Sequence, residues 1–566
     1  MTRNNDSRAR TVDANLHDAL DPSDPYAREQ QTFPQLDDEE IERLRPYGCV
    51  EHYGQGDILF SRGDRGVDFL LVLSGAIEIF ELDTENVPHV FALHTARQFS
   101  GELDLFNDRM VLVGGRAAEP SELLRISRSQ FYRMMSTEQA ISDKIMRALI
   151  LRRTGVINHE QAGVTVFAED NEGEALRIRR FLERNGYPNH LLPADGSPEA
   201  ERFASSHCID MSRLPVVVSP RQAVLYQPSN PELADQLGLT EHLEKDEVYD
   251  LVVVGAGPSG LSATVYAASE SLNTLVIEVE APGGQAGTSS KIENYLGFPV
   301  GISGQALAGR AWIQAQKFGA RFAVSRAASR LDCSTRPFAI HIADECSVTA
   351  RAIVIASGAT YRTLDLPNYS QYEGQGIHYA ATAMEAQLCT GEDVVVVGGG
   401  NSSGQAAVFL SRHARHVYML VRNDTLAETM SDYLIQRIED SSAISVHTAT
   451  ELTALDGDRF LKQVSWQKRG QASPETHEIR NVFVMIGAVP NTDWLGGCLQ
   501  LDKEGFVLTG AAVNGSQPSS PFTSSIEGIF AVGDVRSGSV KRVASGVGEG
   551  SVCVQHVHSY LNDSTD

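Results

Sequence analysis

The feature that most constrains this chain is a plan used twice. Asp250–Ser269 reads DLVVVGAGPSGLSATVYAAS, and Asp393–Arg412 reads DVVVVGGGNSSGQAAVFLSR. In both, an unbroken apolar run meets a glycine-rich turn that opens a helical stretch. An apolar run without polar alternation suits a strand buried on both faces, as in the parallel sheet of an α/β fold. In the first turn Gly255 permits the tight bend, Gly257 lets backbone approach a pyrophosphate, and Gly260 lets helix lie close on strand. The helix N-terminus offers the anion free N–H groups and a favourable dipole. Further on, TLVIE ends at Glu278, placed to bind a ribose hydroxyl pair. The expected core is a pair of dinucleotide-binding α/β units, the second inserted in the first.

The second turn runs Gly398, Gly400, Asn401, Ser402, Ser403. Its following strand, HVYMLVR, ends on Arg422 with no acid. An arginine there suits a 2′-phosphate better than a bare ribose, so NADPH is expected over NADH, with NADH as the alternative. Near the C-terminus GIFAVGDVRSGSVKRVASG supplies a strand, then Gly533-Asp534, then a helix. An aspartate in that place can accept from a ribityl hydroxyl.

At 566 residues the chain exceeds one core, and several domains are expected. The net charge of -25 argues against nucleic acid or an anionic membrane as the main partner. Seven cysteines are scattered without C-x-x-C or metal spacing, which suits a reducing compartment and points to no metal. No apolar run approaches the roughly twenty residues that span a bilayer. The expected location is cytoplasmic.

The rest of the chain divides by rhythm. Residues 1–34 are polar and expected as a disordered tail. Residues 35–155 alternate in short strands, the pattern of a small β-sandwich or barrel, with a helical stretch closing it. Residues 160–232 read as a compact βαβ-type unit, and 233–247 as a charged linker. Residues 248–364 with 484–562 form the first dinucleotide unit, and 365–483 the second.

Residues 248–562 resemble the low-molecular-weight thioredoxin reductases and their flavoprotein relatives. The motifs are GAGPSG, PGGQAG, IENYLGFP, IASGA, GGGNSSG, IGAVPNT and FAVGD. The resemblance implies FAD on Gly255, Gly257, Ser259 and Gly260, with Glu278 on the adenosine ribose. It also places Gly284 and Gln285 beside the flavin, Asn294 near the isoalloxazine, and Gly533-Asp534 on the ribityl chain. Arg542 and Ala544 match the last flavin-contacting segment, and NAD(P)H falls on Gly398–Ser403. It implies a homodimer. The sequence departs where the family has its redox disulfide: the Y-C-A-T-C segment is Tyr379-Ala380-Ala381-Thr382-Ala383, so Ala380 and Ala383 replace both cysteines. Cys389, nearby, reads as an inert buried thiol. In the family's NADPH-phosphate segment Arg422 survives of three arginines.

The N-terminal region resembles cyclic-nucleotide-binding regulatory domains, through YGQGDILFSRGDRGVDFLLVLSGAIEIF and FSGELDLF. The latter matches the phosphate cassette, so Gly101, Glu102 and Leu103 would meet a cyclic nucleotide or other small effector. Where the family places an arginine this chain has Val111, with Arg109 close by. Residues 160–232 resemble a thioredoxin or glutaredoxin fold without its cysteines, with Pro215 in RLPVVV at the cis-proline position. The expected function is FAD-dependent NAD(P)H oxidation with an unidentified electron acceptor. The alternative is an effector-regulated redox sensor with little turnover.

Overall fold

The computed structural model describes residues 25–563, apart from 83–87, 102, 107–108, 160–162, 170–172, 221, 242, 244–246, 290–291, 293–294, 343–345, 374, 380, 382 and 514–518. Its contacts divide the chain into two units, residues 1–243 with 313–325, and residues 244–312 with 326–566.

The first unit begins with two antiparallel four-stranded sheets. One runs in the order 49–53, 121–126, 69–74, 99–100; the other in the order 58–60, 114–117, 76–82, 88–95. A long helix, α1 (Gln139–Asn158), follows. Its Ile141, Ile145, Ala148 and Leu149 recur at helical spacing and are fully buried with Phe69, Phe99 and Phe131. Of the expected tail, residues 1–24 lie outside the described residues and the remainder is folded. Residues 26–32 are helical, and Tyr26, Thr32 and Leu36 are buried, because aromatic and aliphatic side chains punctuate the polar stretch.

A β-α-β-α-β-β-α module comes next. Its strands lie in the order 189–193, 164–168, 216–218, 224–226; the first pair is parallel and the later pairs antiparallel. The helix Gly173–Arg184 buries Ala175, Ile178, Phe181 and Leu182 on one face. The Leu214–Pro215 peptide is cis. The segment expected as linker from 233 begins instead as helix Asn230–Leu237, capped by a reciprocal Ser229–Glu232 box and closed by Gly238 at φ 66°. Leu233, Ala234 and Leu237 are fully buried, so apolar spacing outweighs the charged composition.

In the second unit, β1 (Val248–Val254) lies between β2 (Thr274–Glu278) and strand 346–355, all parallel. Strands 338–342 and 328–332 extend the sheet antiparallel, and 529–531 pairs parallel with 346–355. The inserted sheet is wholly parallel, in the order 377–378, 481–484, β3 (Asp393–Val397), β4 (His416–Val421), 444–448. Val394–Val396 are fully buried, as an unbroken apolar strand covered on both faces should be. A three-stranded antiparallel sheet, 450–457, 461–468 and 475–477, attaches to the insertion.

Cys333 and Cys498 are joined in a disulfide, Cα atoms 6.3 Å apart and 165 residues apart in sequence. The expectation of scattered free thiols fails for this pair. The end of strand 328–332 meets the turn after Asp493–Leu495, a long-range approach that no cysteine spacing reveals. Among the described residues, no helix is long and apolar enough to cross a membrane.

Candidate functional site

At the carboxyl end of β1 the chain turns sharply into α2 (Pro258–Ser269). Gly255 has φ +103°, and a Cβ built there would stand 2.3 Å from the Ala356 carbonyl oxygen. At Gly260 a Cβ would fall 1.9 Å from the Gly255 carbonyl oxygen, so only glycine lets the helix close on its own turn. Gly257 differs. It caps α2 at φ −68°, and the nearest atom to a Cβ there is the Gly284 Cα at 4.0 Å. Among the described residues no other atom comes within 4 Å of that Cβ. This is a hollow before a helix N-terminus, the shape a pyrophosphate requires.

The rest of the hollow is held by backbone contacts. The Gly283 N–H donates to the Ala256 carbonyl at 2.7 Å, which brings the 283–284 turn against the first. Gln285 Nε2 donates to the Ala359 carbonyl. Glu278, 6% exposed, accepts the Ala256 N–H at 2.7 Å and the Glu280 N–H at 3.0 Å. Its carboxylate therefore fixes the turn.

Helix α4 (Val543–Asp563) lies along α2 through glycines. Cβ atoms at Gly533 and Gly546 would come 2.3 and 2.4 Å from the Ser259 hydroxyl. The Ser259 side chain thus fills a gap between elements. Gly533 has φ +74°, and its N–H donates to Glu549 at 2.6 Å. Glu549 also pairs with Arg536 at 2.6 Å and accepts from Ser539 at 3.1 Å. This partly buried carboxylate secures the Asp534 turn and carries no motif signal in the sequence. Burial raises the Asp534 carboxyl above the ordinary aspartate range, opposed by Lys541 and reinforced by Glu549. Arg542 and Ala544 are exposed at the start of α4.

The second turn repeats the logic with one change. Gly398 has φ +136°, and a Cβ there would stand 2.4 Å from the Met485 carbonyl oxygen. Gly400, capping α3 (Asn401–Leu410), has nothing among the described residues within 4 Å of a Cβ. Ser403 takes the third glycine position, fully buried, its hydroxyl donating to the Gly400 carbonyl at 2.6 Å. Asn401 Oδ1 accepts from the Ser431 N–H at 2.8 Å, and Ser402 is exposed. At the end of β4, Arg422 is exposed, and Arg469 reaches its carbonyl at 3.0 Å. Arg469 brings a second guanidinium to this strand end. Sequence reasoning missed it because it arrives from a turn in another sheet.

Asn294 and Ala380 lie outside the described residues, and Ala383 opens the helix Ala383–Leu388. Cys389 is fully buried; its thiol donates to the Glu385 carbonyl at 3.3 Å, and burial pushes its pKa up to about 11. Among the effector residues expected in the first unit, Glu102 lies outside the described residues, Gly101 has φ +148°, and Leu103 opens a short 3-10 turn.

A family model described as pyridine nucleotide-disulphide oxidoreductase matches residues 249–550. The chain belongs to this family. A second model, cyclic nucleotide-binding domain, matches residues 50–138. NADPH-dependent thioredoxin reductase 3 of Arabidopsis thaliana is 32% identical over 326 residues, covering 56% of this chain and 59% of that protein, less than two thirds of its length. Thioredoxin reductase of Chlamydia pneumoniae is 30% identical over 317 residues, covering 55% of this chain and 98% of its own. The solved thioredoxin reductase of T. acidophilum superposes with a TM-score of 0.51 at 27% identity, covering 57% of this chain and 100% of that one. This pyridine nucleotide-disulphide oxidoreductase therefore combines a thioredoxin reductase-like flavin and NAD(P)H region with an N-terminal β-rich cyclic-nucleotide-binding domain. The family implies FAD and NAD(P)H, and the open hollows at Gly257 and Gly400 fit their pyrophosphates.

Proposed function

We propose that this chain is an FAD-dependent NAD(P)H oxidoreductase of thioredoxin reductase type whose electrons leave for an acceptor outside the chain. The carrying observation is the pairing of two open dinucleotide hollows with Ala380 and Ala383 at the disulfide positions. FAD, when bound, supplies the two-electron chemistry between nicotinamide and acceptor. Gly257 leaves room for its pyrophosphate, backed by Gly255, Ser259 and Gly260. Glu278 would take the ribose hydroxyls and Asp534, beside Gly533, the ribityl chain. Gly284, Gln285 and Asn294 would border the ring, with Arg542 and Ala544 closing the site. Gly398, Gly400, Asn401, Ser402 and Ser403 would hold NAD(P)H. Arg422, with Arg469 beside it, favours the 2′-phosphate and hence NADPH over NADH.

Thiol–disulfide exchange needs a thiolate. Alanine supplies none, and Cys389 is buried with its thiol raised to about 11, so it stays protonated at neutral pH. The acceptor is then oxygen, a quinone, a ferredoxin-like carrier or an external disulfide, reached without a resident dithiol. The strand order of the 164–226 module supports reading it as a thioredoxin-like docking or spacer domain. The proposed domains are 35–155, a module from 160, 248–364 with 484–562, and 365–483, in a cytoplasmic homodimer.

Anaerobic stopped-flow absorbance of the FAD-loaded protein, mixed with NADPH and then NADH, tests the proposal. Bleaching of the flavin band, faster with NADPH, is expected. No bleaching with either, in protein that holds FAD, would refute it. The match of residues 50–138 favours a second reading, in which an effector biases the flavoprotein between two states. A change in bleaching rate with effector would select it.

A further inference from the structure

The Cys333–Cys498 pair lies away from the first glycine turn. Asp332 faces Ala339 across its strand pair, and Phe338 faces Ala350 across the next, so Cys333 stands level with Ala350. The glycine turn meets the same strand beyond its end, at Ala356, roughly 20 Å further on at the strand rise. The bond is therefore no stand-in for the pair replaced at Ala380 and Ala383.

Its surroundings suit exchange with an external thiol. Both cysteines are half-buried, and the flanking residues 334–337 and 496–497 are exposed, so a small thiol can reach the bond. Cys389 and Cys553 are fully buried instead. The Arg336 guanidinium donates to the Cys333 carbonyl at 3.4 Å and lies over the Phe338 ring. A cation there favours a departing thiolate. The Cys498 sulfur stands 3.3 Å from the Leu331 carbonyl oxygen, so a reduced thiol has an acceptor in place and exchanges a covalent tie for a weak one. In a reducing compartment a disulfide is commonly transient, catalytic or redox-sensing.

The bond also sits at a joint. The chain enters the inserted sheet from strand 359–361 and returns by strand 488–490, and the two pair antiparallel. Just past the return, Asn491 is tied to the entry. Its N–H donates to the Gly358 carbonyl at 3.0 Å, its Nδ2 to the Ser357 carbonyl at 2.8 Å, and its carbonyl accepts from the Ser357 hydroxyl at 2.8 Å. The turn 493–495 follows, then Gly496 and Gly497 at φ 58° and 82°, then Cys498. Further on, the Val507 N–H donates to the Val535 carbonyl at 3.0 Å, beside Asp534. Cys498 thus anchors the chain between the crossover and the Asp534 turn. The anchor point is the end of strand 328–332, the last strand of its sheet.

We propose that Cys333–Cys498 is a reversible redox site for an external dithiol, and that the oxidised bond latches the returning crossover and slows hydride transfer between the two dinucleotide sites. A thiolate of the dithiol attacks one sulfur, a mixed disulfide forms, and the displaced cysteine takes a proton. The second thiol of the dithiol then closes on the first, freeing the other cysteine as a thiol. The pair gains two electrons and two protons, and the dithiol leaves as a disulfide. An oxidised dithiol re-forms the bond by the reverse steps. The latch rests on the oxidoreductase reading above; the exchange is testable without turnover.

The test uses the full-length, FAD-loaded protein purified in air, before and after dithiothreitol and anaerobic desalting. Iodoacetamide labelling with peptide mass mapping reads the thiols, and anaerobic stopped-flow with NADPH reads flavin bleaching. In folded protein Cys333 and Cys498 should be labelled only after dithiothreitol, and Cys389 and Cys553 in neither state. Bleaching should quicken about fivefold or more on reduction, the lower end of coupling between sites. The double variant Cys333→Ser, Cys498→Ser should bleach at the reduced rate and ignore dithiothreitol; the unsubstituted protein decides should that variant fail to fold. A bond that resists dithiothreitol until the protein unfolds would overturn the proposal. So would free thiols at both positions in air, or bleaching unchanged or slower on reduction. No bleaching in either state would refute the oxidoreductase reading and the latch with it, while labelling still decides the exchange site.

Discussion

Gly257→Ala separates the cofactor hollow from the fold that frames it. The new Cβ would have the Gly284 Cα at 4.0 Å as its nearest neighbour, and φ −68° suits alanine, so the apo chain has little to lose. Alanine gains about 0.4–1 kcal/mol from a stiffer unfolded chain. It gives back a similar amount as a poorer helix cap, about 0.5–1 kcal/mol. The apo stability should move by less than about 1 kcal/mol. The methyl nevertheless stands where the pyrophosphate must pass, and an extra carbon in a filled site costs about 1–3 kcal/mol. That is a roughly 5- to 150-fold loss of FAD affinity. Gly260→Ala is the contrast: its Cβ would lie 1.9 Å from a backbone oxygen, so the apo protein itself should fail. Thermal unfolding of apo protein and FAD titration by fluorescence quenching read the two effects apart. Unchanged FAD affinity in Gly257→Ala, or apo damage equal to that of Gly260→Ala, would refute the placement of the hollow.

Glu278→Ala strips the acceptor from the buried Ala256 N–H and should cost apo protein about 1–3 kcal/mol, seen as a lower melting temperature before any FAD is added. Arg422→Ala and Arg469→Ala should each cut the NADPH-over-NADH preference several-fold, most clearly at low salt, in the stopped-flow rates. Burial raises the Asp534 carboxyl, so the folded chain keeps that proton to higher pH than the unfolded chain; its stability is full below the unfolded range and is lost as pH rises through the folded value. Apo Asp534→Asn should therefore out-melt its parent at neutral pH and lose that advantage in acid. Thioredoxin-coupled DTNB reduction should show no appreciable rate, and Cys389→Ala should leave flavin reduction unchanged; a robust rate abolished by that substitution would restore a resident thiol.

Both dinucleotide turns were legible because strand, glycines and helix follow one another in sequence, even though the carbonyls that crowd Gly255 and Gly398, those of Ala356 and Met485, come from distant strands. The alanines at 380 and 383 were legible for the same reason, as departures from a contiguous motif. What escaped was brought in from afar. Glu549 meets Gly533 from the next helix, Arg469 meets Arg422 across two sheets, and Cys498 meets Cys333 across an entire insertion. Composition misled at 233–239, where charged residues hide a helix whose apolar face is spaced for burial. Tyr26 and Thr32 show the opposite case, a polar leader with enough apolar side chains to fold back.

The Cys333–Cys498 bond also changes what kind of object the second unit is. The chain between the two sulfurs, which includes β3, α3 and β4, is a closed covalent ring carrying the second glycine turn. A protease cut anywhere on that ring opens it without releasing a piece. Such a nicked molecule would run as one band on a gel until a reductant is added, and would then fall into two.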